Sequence, residues 1–245
     1  MAFNKNSNLY IVIYSTIMVV IVATLLAVAA LSLQPKQQAN MLGEKKGAIL
    51  SSLNAADENY DSFITATVLD ENGNPTQGDA LELLFDLKGA FESGKYPIFQ
   101  SQDGRVVIPV YGSGLWGPIW GYLALEKDMN TVVGVVLDHQ GETPGLGAEI
   151  ATAKHQAQYV GKTIFEGDEL VAITVKKGGA TEANIMHEVD AISGGTKTCD
   201  GVSAMLLNSL RNYLPFLKAN IAKEAAQVEQ AETEVSNEIN TVENE

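Results

Sequence analysis

The sequence predicts an α+β domain, a mostly antiparallel sheet with flanking helices, preceded by one transmembrane helix. Three observations lead there. Residues 9–33 form a 25-residue run without a charge. Beyond it, short β-rich runs follow one another with turn residues between them, the mark of strands that pair in succession. Helical spacing of apolar residues is confined to a few segments among those runs.

Composition narrows the function classes. The chain has 245 residues, of which 46% are hydrophobic, and 16 basic against 30 acidic side chains leave a net charge of −14. The acid excess is spread along the chain with no basic stripe to track phosphates, so no nucleic-acid partner is expected. Cys199 is the one cysteine, which excludes an intrachain disulfide, a Cys-only zinc site and a self-contained iron–sulfur cluster. With three scattered histidines, no metal centre is expected.

Residues 1–8 are a short tail. The anchor, 9–33, is apolar on every helical face and as a helix spans about 37 Å, enough to cross a hydrocarbon core of roughly 30 Å. Ala27-Val28-Ala29 imitates a signal-peptide cleavage site, but a signal h-region runs only about 7 to 15 residues, so a retained anchor is expected. Ser15, Thr16, Thr24, Ser32 and two tyrosines are its only polar side chains. Without a carboxylate in the span, this chain is an anchor and not an ion path. Lys36, Lys45 and Lys46 after the span, against Lys5 before it, weakly favour a cytoplasmic body.

Residues 34–56 read as a stalk helix, with Met41, Leu42, Lys45, Ala48, Ile49 and Leu53 at helical spacing. The folded domain then runs from 57 to 218. Residues 63–69 read as a strand closed by the turn cluster Asp70-Glu71-Asn72-Gly73-Asn74-Pro75. Leu81 to Phe91 reads as a helix, and strands follow at 96–101, 105–111, 118–125, 131–138 and 170–176. Helical patterns occupy 147–160 and roughly 199–214. The last segment, 219–245, holds seven Glu and one Lys with no Gly, Pro or aromatic residue, an acidic and partly helical solvated tail.

Gly112-Ser113-Gly114-Leu115-Trp116-Gly117 matches G-x-G-x-x-G after a strand, with Asp138 farther on. A dinucleotide loop must open a helix whose N-terminus takes the pyrophosphate. Here Pro118 and the β-rich run to Leu125 follow instead, so nicotinamide binding is not expected. The segment reads as a glycine-rich strand connection, either a plain hairpin turn or one that sets Trp116 beside a ligand.

Asp190-Ala191-Ile192-Ser193-Gly194-Gly195-Thr196-Lys197-Thr198 is the most informative stretch. A small-residue turn runs into the apolar-periodic helix Val202, Met205, Leu206, Leu210. Backbone N–H groups and a helix dipole at that turn suit a phosphate, and Lys197 adds positive charge. An ordinary helix start capped by Thr196 or Thr198 satisfies the same pattern. His139-Gln140-Gly141-Glu142-Thr143-Pro144-Gly145-Leu146-Gly147 is a strand-to-helix connection with a tight Pro-Gly turn. From its residues alone it is a turn that presents Leu146 and one carboxylate.

The first of these stretches resembles the flavinylation motif Asp-x-x-Ser/Thr-Gly-Ala-Thr/Ser-x-Thr/Ser of the covalent FMN-binding domain family, with Gly195 in place of the usual alanine. The second is similar to the Glu-Thr-Pro-Gly-Leu-Gly turn that packs on the isoalloxazine in that family, and the Gly-Leu-Trp-Gly loop also recurs there. With the N-terminal span, residues 1 to about 215 resemble the C-subunit family of the Na+-translocating NADH:quinone reductases. The resemblance implies FMN joined by a phosphoester to Thr198, with Ser193, Gly194, Gly195, Thr196 and Lys197 shaping the phosphate turn. It implies Glu142, Thr143, Gly145, Leu146 and Trp116 beside the flavin ring, and no metal ligand. It further implies a sodium-pumping complex of the cell inner membrane in which electrons arrive from a cluster held by partner subunits. They leave toward a second flavin and ubiquinone, and the chain is inactive alone. The family places the body on the periplasmic side, against the lysine count, and uses a separate flavin transferase for attachment. Two alternatives are the G subunit of the ion-translocating ferredoxin:NAD oxidoreductases and a non-redox membrane-tethered binding module. The insertion at 57–104 and the Gly-Leu-Trp-Gly loop favour the quinone reductase.

Overall fold

A computed structural model describes residues 7–223. The chain divides after Lys45 into two compact units. Helix α1, Asn8–Ser52, contains the uncharged run and the stalk as one continuous helix. Pro35 lies inside it, where it removes one i→i−4 hydrogen bond without ending the helix. Leu9, Val19, Leu25, Leu26 and Leu31 are among its exposed apolar side chains, on every face. Its hydroxyls bond within the helix: Ser15 to Ile11 O at 2.8 Å, Thr16 to Val12 O at 2.8 Å and Thr24 to Val20 O at 2.7 Å. A surface with its polar groups internally paired and its apolar groups outward suits lipid.

The stalk ends at Ser52, four residues before the expected limit, for a local reason. Asn54 adopts φ 55° and Ala55 N donates to Leu50 O at 2.9 Å, a left-handed cap that closes the last turn.

The second unit is built on a six-stranded sheet with order β2-β1-β3-β4-β5-β6, every pair antiparallel. Its strands are β1 Ile64–Leu69, β2 Pro75–Thr76, β3 Tyr96–Ser101, β4 Val106–Ser113, β5 Pro118–Leu125 and β6 Val132–His139. Short helices α2 (Tyr60–Phe63), α3 (Ala80–Leu83) and α4 (Leu87–Glu92) surround β1 and β2. The single helix expected over Leu81–Phe91 is therefore two, because the Asp86 side chain accepts from Gly89 N at 3.0 Å and starts a new helix. The helix expected over 147–160 is a 3-10 turn, Gly147–Ala151, then α5 (Ala153–Gln156) and a second 3-10 turn, Ala157–Tyr159. Thr152, extended at ψ 144° and capping His155 N, breaks the run.

The strand expected over 170–176 is split between β8 (Glu169–Leu170), which pairs with β7 (Phe165–Glu166), and β9 (Thr174–Lys176). β9 pairs in parallel with β10 (Glu188–Asp190). The last long helix, α6, runs Thr196–Asn212, three residues earlier than expected, and a further helix occupies 214–223. Of the acidic tail, 219–223 belong to that helix and the remainder lies outside the described residues.

Both faces of the sheet are covered. Ile98, Ile108, Val110, Leu123 and Leu137 pack toward α6, through Val202, Leu206 and Leu210. Phe99, Val107, Tyr122 and Ala124 pack toward Ile49, Leu50 and Leu53 at the end of α1. The first five residues of β4 are buried for this reason, and its sequence shows little polar alternation. α6 comes close enough to β4 that a Cβ on Gly201 would collide with Ser113 O, so glycine sets the depth at which the helix sits.

Candidate functional site

Three connections meet at the N-terminal end of α6. The β4–β5 hairpin, closed by Gly114 N to Gly117 O at 2.8 Å, brings Leu115 and Trp116. The segment after β6 brings Glu142 to Gly147, and the turn after β10 brings Ser193 to Thr198. The glycine-rich motif is thus the hairpin that the sequence pointed to, and no helix follows it.

Thr198 and Glu142 are the centre of the meeting. Both are buried, at 1% and 4% exposure, and Thr198 Oγ1 donates to Glu142 Oε2 at 2.6 Å. The other carboxylate oxygen, Oε1, accepts from Trp116 N at 2.8 Å. Glu142 N donates in turn to His139 Nδ1 at 3.2 Å. Burial pushes the Glu142 carboxyl up, but the Thr198 hydroxyl and the backbone N–H groups of Trp116, Leu115 and Gly117 together pull it further down. The net effect holds it below the ordinary carboxylate value, an ionised group in a cradle of donors. Two glycines make the cradle fit. A Cβ on Gly147 would collide with both Glu142 Oε2 and Thr198 Oγ1, and one on Gly114 would collide with Glu142 Oε1.

The remaining predicted residues form an open rim. Ser193, Gly194, Thr196, Lys197, Thr143, Gly145 and Leu146 are exposed, Leu146 at 41% and Trp116 at 69%. Gly194 has φ 77°, and Leu146 packs so closely on it that a Cβ there would meet Leu146 Cδ2 at 2.6 Å. Gly195 is buried and serves as N-cap of α6 with no side-chain cap hydrogen bond. Neither threonine caps the helix. Thr198 stands in its first turn, beside N–H groups that no side chain among the described residues caps, and Lys197 is exposed next to it. Cys199 is buried, its thiol pushed up by burial, and Sγ accepts from Ile192 N at 3.4 Å, which marks an inert packing thiol.

Sequence reasoning placed Glu142 among the ring-side residues; the structure places its carboxylate on the Thr198 hydroxyl. His139, Gly114 and Gly147 lay inside the motifs that it singled out, but it gave them no role of their own. The pairing of Thr198 with the Glu142 carboxylate leaves no local signal, since the two are 56 positions apart.

An FMN phosphate fits the chain's chemistry here: a buried hydroxyl, the uncapped first turn of a 17-residue helix, a nearby lysine, and exposed Trp116, Leu115 and Leu146 for an aromatic ring. Comparison with known proteins agrees. Residues 114–211 match the FMN-binding domain family, a span that starts at the hairpin glycine and ends near the end of α6. The C subunit of the Na(+)-translocating NADH-quinone reductase of Neisseria meningitidis serogroup B is 30% identical over 88% of this chain and 95% of its own length. That of Vibrio anguillarum is 33% identical over 82% of this chain and 90% of its own. The crystal structure of the Parabacteroides distasonis C subunit covers 76% of this chain and 96% of that one, at 39% identity and a TM-score of 0.70. The chain belongs to the C-subunit family of the Na(+)-translocating NADH-quinone reductases.

Proposed function

We propose that this chain is the covalently flavinylated electron carrier of its membrane complex, with FMN esterified through its phosphate to Thr198. The observation that carries the reading is the placement of Thr198: the one hydroxyl of the 190–198 turn that is buried, oriented by a carboxylate and set in the first turn of α6. Ser193 and Thr196 are exposed on the turn and shape it, or contact phosphate oxygens. When bound, FMN supplies one- and two-electron transfer. The chain's part is to hold the phosphate against the α6 N–H groups, with Lys197 adding positive charge, and to border the ring with Trp116, Thr143, Gly145 and Leu146. A covalent tether keeps the cofactor from being lost to dilute surroundings.

The proposed path brings electrons from a cluster in partner subunits and passes them toward a second flavin and quinone, with sodium movement assigned to those partners. The uncharged half of α1 is the anchor in the cell inner membrane and the FMN-binding body faces the periplasm. A flavin transferase completes the chain there.

Thr198→Val tests the assignment, because it removes the hydroxyl at nearly constant volume. Co-expressed with a flavin transferase, the wild-type chain gives a fluorescent band after denaturation, and tryptic mapping puts the FMN mass on residues 198–211 or on a missed-cleavage form with Lys197. The variant folds and shows no label. Label persisting in Thr198→Val removes this assignment, and an unlabelled wild type removes covalent flavin altogether.

A further inference from the structure

The contact between Thr198 and Glu142 is not what a resting anion site requires. An ionised carboxylate 2.6 Å from the attachment oxygen repels a phosphate that arrives as a free ion. Among the described residues no lysine, arginine or histidine is ion-paired to it. The geometry suits a hydroxyl that is about to lose its proton.

We propose that Glu142 orients the Thr198 hydroxyl and accepts its proton when the flavin ester forms; this rests on the reading that Thr198 carries FMN. Thr198 Oγ1 forms a bond to phosphorus in a flavin mononucleotidyl phosphoanhydride such as FAD. The P–O bond to the nucleoside monophosphate breaks, and its electron pair leaves with that group. The Oγ1 proton passes to Glu142 Oε2 and from there to solvent, and nothing is oxidised or reduced.

Three features prepare Glu142 for this. Trp116 N holds Oε1, so Oε2 is left for Thr198. Gly147 and Gly114 lack the Cβ atoms that would wedge into the pair. The donors around the carboxylate also keep it ionised and ready to accept. A weakly basic carboxylate is sufficient for attack on a phosphoanhydride, whose nucleoside monophosphate is a good leaving group. The carboxylate's work is to aim the nucleophile and take the proton late, as the catalytic-loop aspartate of protein kinases does. Gly147 packs on Thr198, and Leu146 packs on Gly194 and Gly195, which keeps the hydroxyl and the carboxylate in register.

The test uses the full flavin-free chain with FAD and a flavin transferase, following the initial rate of FMN addition by mass. Glu142→Gln keeps the shape and removes the charge. It is expected to lower the labelling kcat by about 10²-fold, the lower end for lost general-base catalysis, with KM for the chain unchanged. Glu142→Asp keeps the charge but draws it back by one methylene, and is expected to lose at least about tenfold. Circular dichroism and melting check the fold of each, and if the glutamine variant does not fold, the aspartate variant decides. A folded variant labelled at the wild-type rate overturns the inference, as does a raised KM with unchanged kcat, the sign of a merely structural role. Thr198→Val run in parallel separates the two readings. If it too is labelled, the attachment site is wrong. If it is blank while Glu142→Gln labels normally, only the role of Glu142 falls.

Discussion

Ser209 on α6 and Tyr111 on β4 hold each other through both backbone groups of the tyrosine: Tyr111 N donates to Ser209 Oγ at 3.1 Å, and Ser209 Oγ donates to Tyr111 O at 3.3 Å. A helix side chain is standing in for a strand. β3 and β4 pair at Phe99–Val107 and Gln100–Val106, and the ladder goes no further. Pro97 on β3 and Pro109 on β4 have no N–H to give, which accounts for the stop. Tyr213, just past α6, completes the repair by donating its hydroxyl to Pro97 O at 2.8 Å. The helix that presents Thr198 at one end is thus fixed at the other by hydrogen bonds into the opened sheet.

Ser209→Ala leaves the part-buried backbone N–H and C=O of Tyr111 without their partner. The expected cost is about 1–3 kcal/mol, which for a domain of this size lowers Tm by roughly 2–4 °C per kcal/mol. Covalent FMN at Thr198 should still form, because the far end of α6 is untouched. A melting curve and a denatured-gel fluorescence assay on the same sample check both halves, and an unchanged Tm removes the structural role of the serine.

The sheet was legible in the sequence, and the reasons are local. Strands β4, β5 and β6 are each eight residues long, rich in Val, Ile and aromatic residues, and bounded by turn residues. The elements that escaped are those decided by distant contacts or by too few residues. β9 and β10 have three residues each, and a parallel pair that short leaves no alternation to read. The early start of α6 at Thr196 escaped because its N-cap, Gly195, uses no side chain. The stalk's end at Ser52 depends on Asn54 in a left-handed conformation, which Asn permits but does not announce. At the site, motifs pointed to Thr198, Leu146 and Trp116. The place of Glu142 depends on folding 56 positions of chain back onto α6, which no local pattern encodes.

Acid should loosen the 174–190 region first through Glu188. This carboxylate is nearly inaccessible, accepts from Thr181 N at 2.9 Å and Thr181 Oγ1 at 2.8 Å, and lies 3.3 Å from Lys176 Nζ. The backbone and hydroxyl of Thr181 hold its pKa down to about 2 against burial, which pushes it up, with smaller help from Lys176 and Asn184. A folded pKa below the unfolded value means stability that is fully present above the unfolded pKa of about 4.5 and is lost as pH falls toward 2. Urea midpoints measured from pH 7 to pH 2.5 should fall through that window in the wild type. In Glu188→Gln they should be lower at pH 7 and flatter below 4.5. Parallel curves for the two proteins would exclude Glu188 as a contributor to acid sensitivity.

Protease added to intact spheroplasts should digest the body while cytoplasmic markers survive. A helix whose apolar residues face outward on all sides is long and apolar enough to cross a membrane; its retention and the side on which the body lies both belong to the proposed function. Full protection of the body places it in the cytoplasm, the side that Lys36, Lys45 and Lys46 favour.

Leu146→Asp should move the flavin without detaching it. Leu146 is 41% exposed and packs over Gly194 and Gly195, the turn that leads to Thr198, yet its side chain makes no hydrogen bond to the attachment hydroxyl, which belongs to Glu142. An aspartate there places a negative charge at the rim where the ring is proposed to lie, and a negative charge opposes the gain of electrons by a neighbouring group. At the separations and effective dielectric of a protein surface the interaction is on the order of 1 kcal/mol, or roughly 20 mV for a two-electron couple. The midpoint potential should therefore fall by about that amount, with the visible absorption bands displaced as an apolar contact is exchanged for a charged one. Mass mapping should still find FMN on residues 198–211, since the hydroxyl, its carboxylate and the α6 turn are all retained. A potential and spectrum equal to those of the wild type would place the ring away from Leu146. A variant that loses its label would instead assign this leucine to the attachment step.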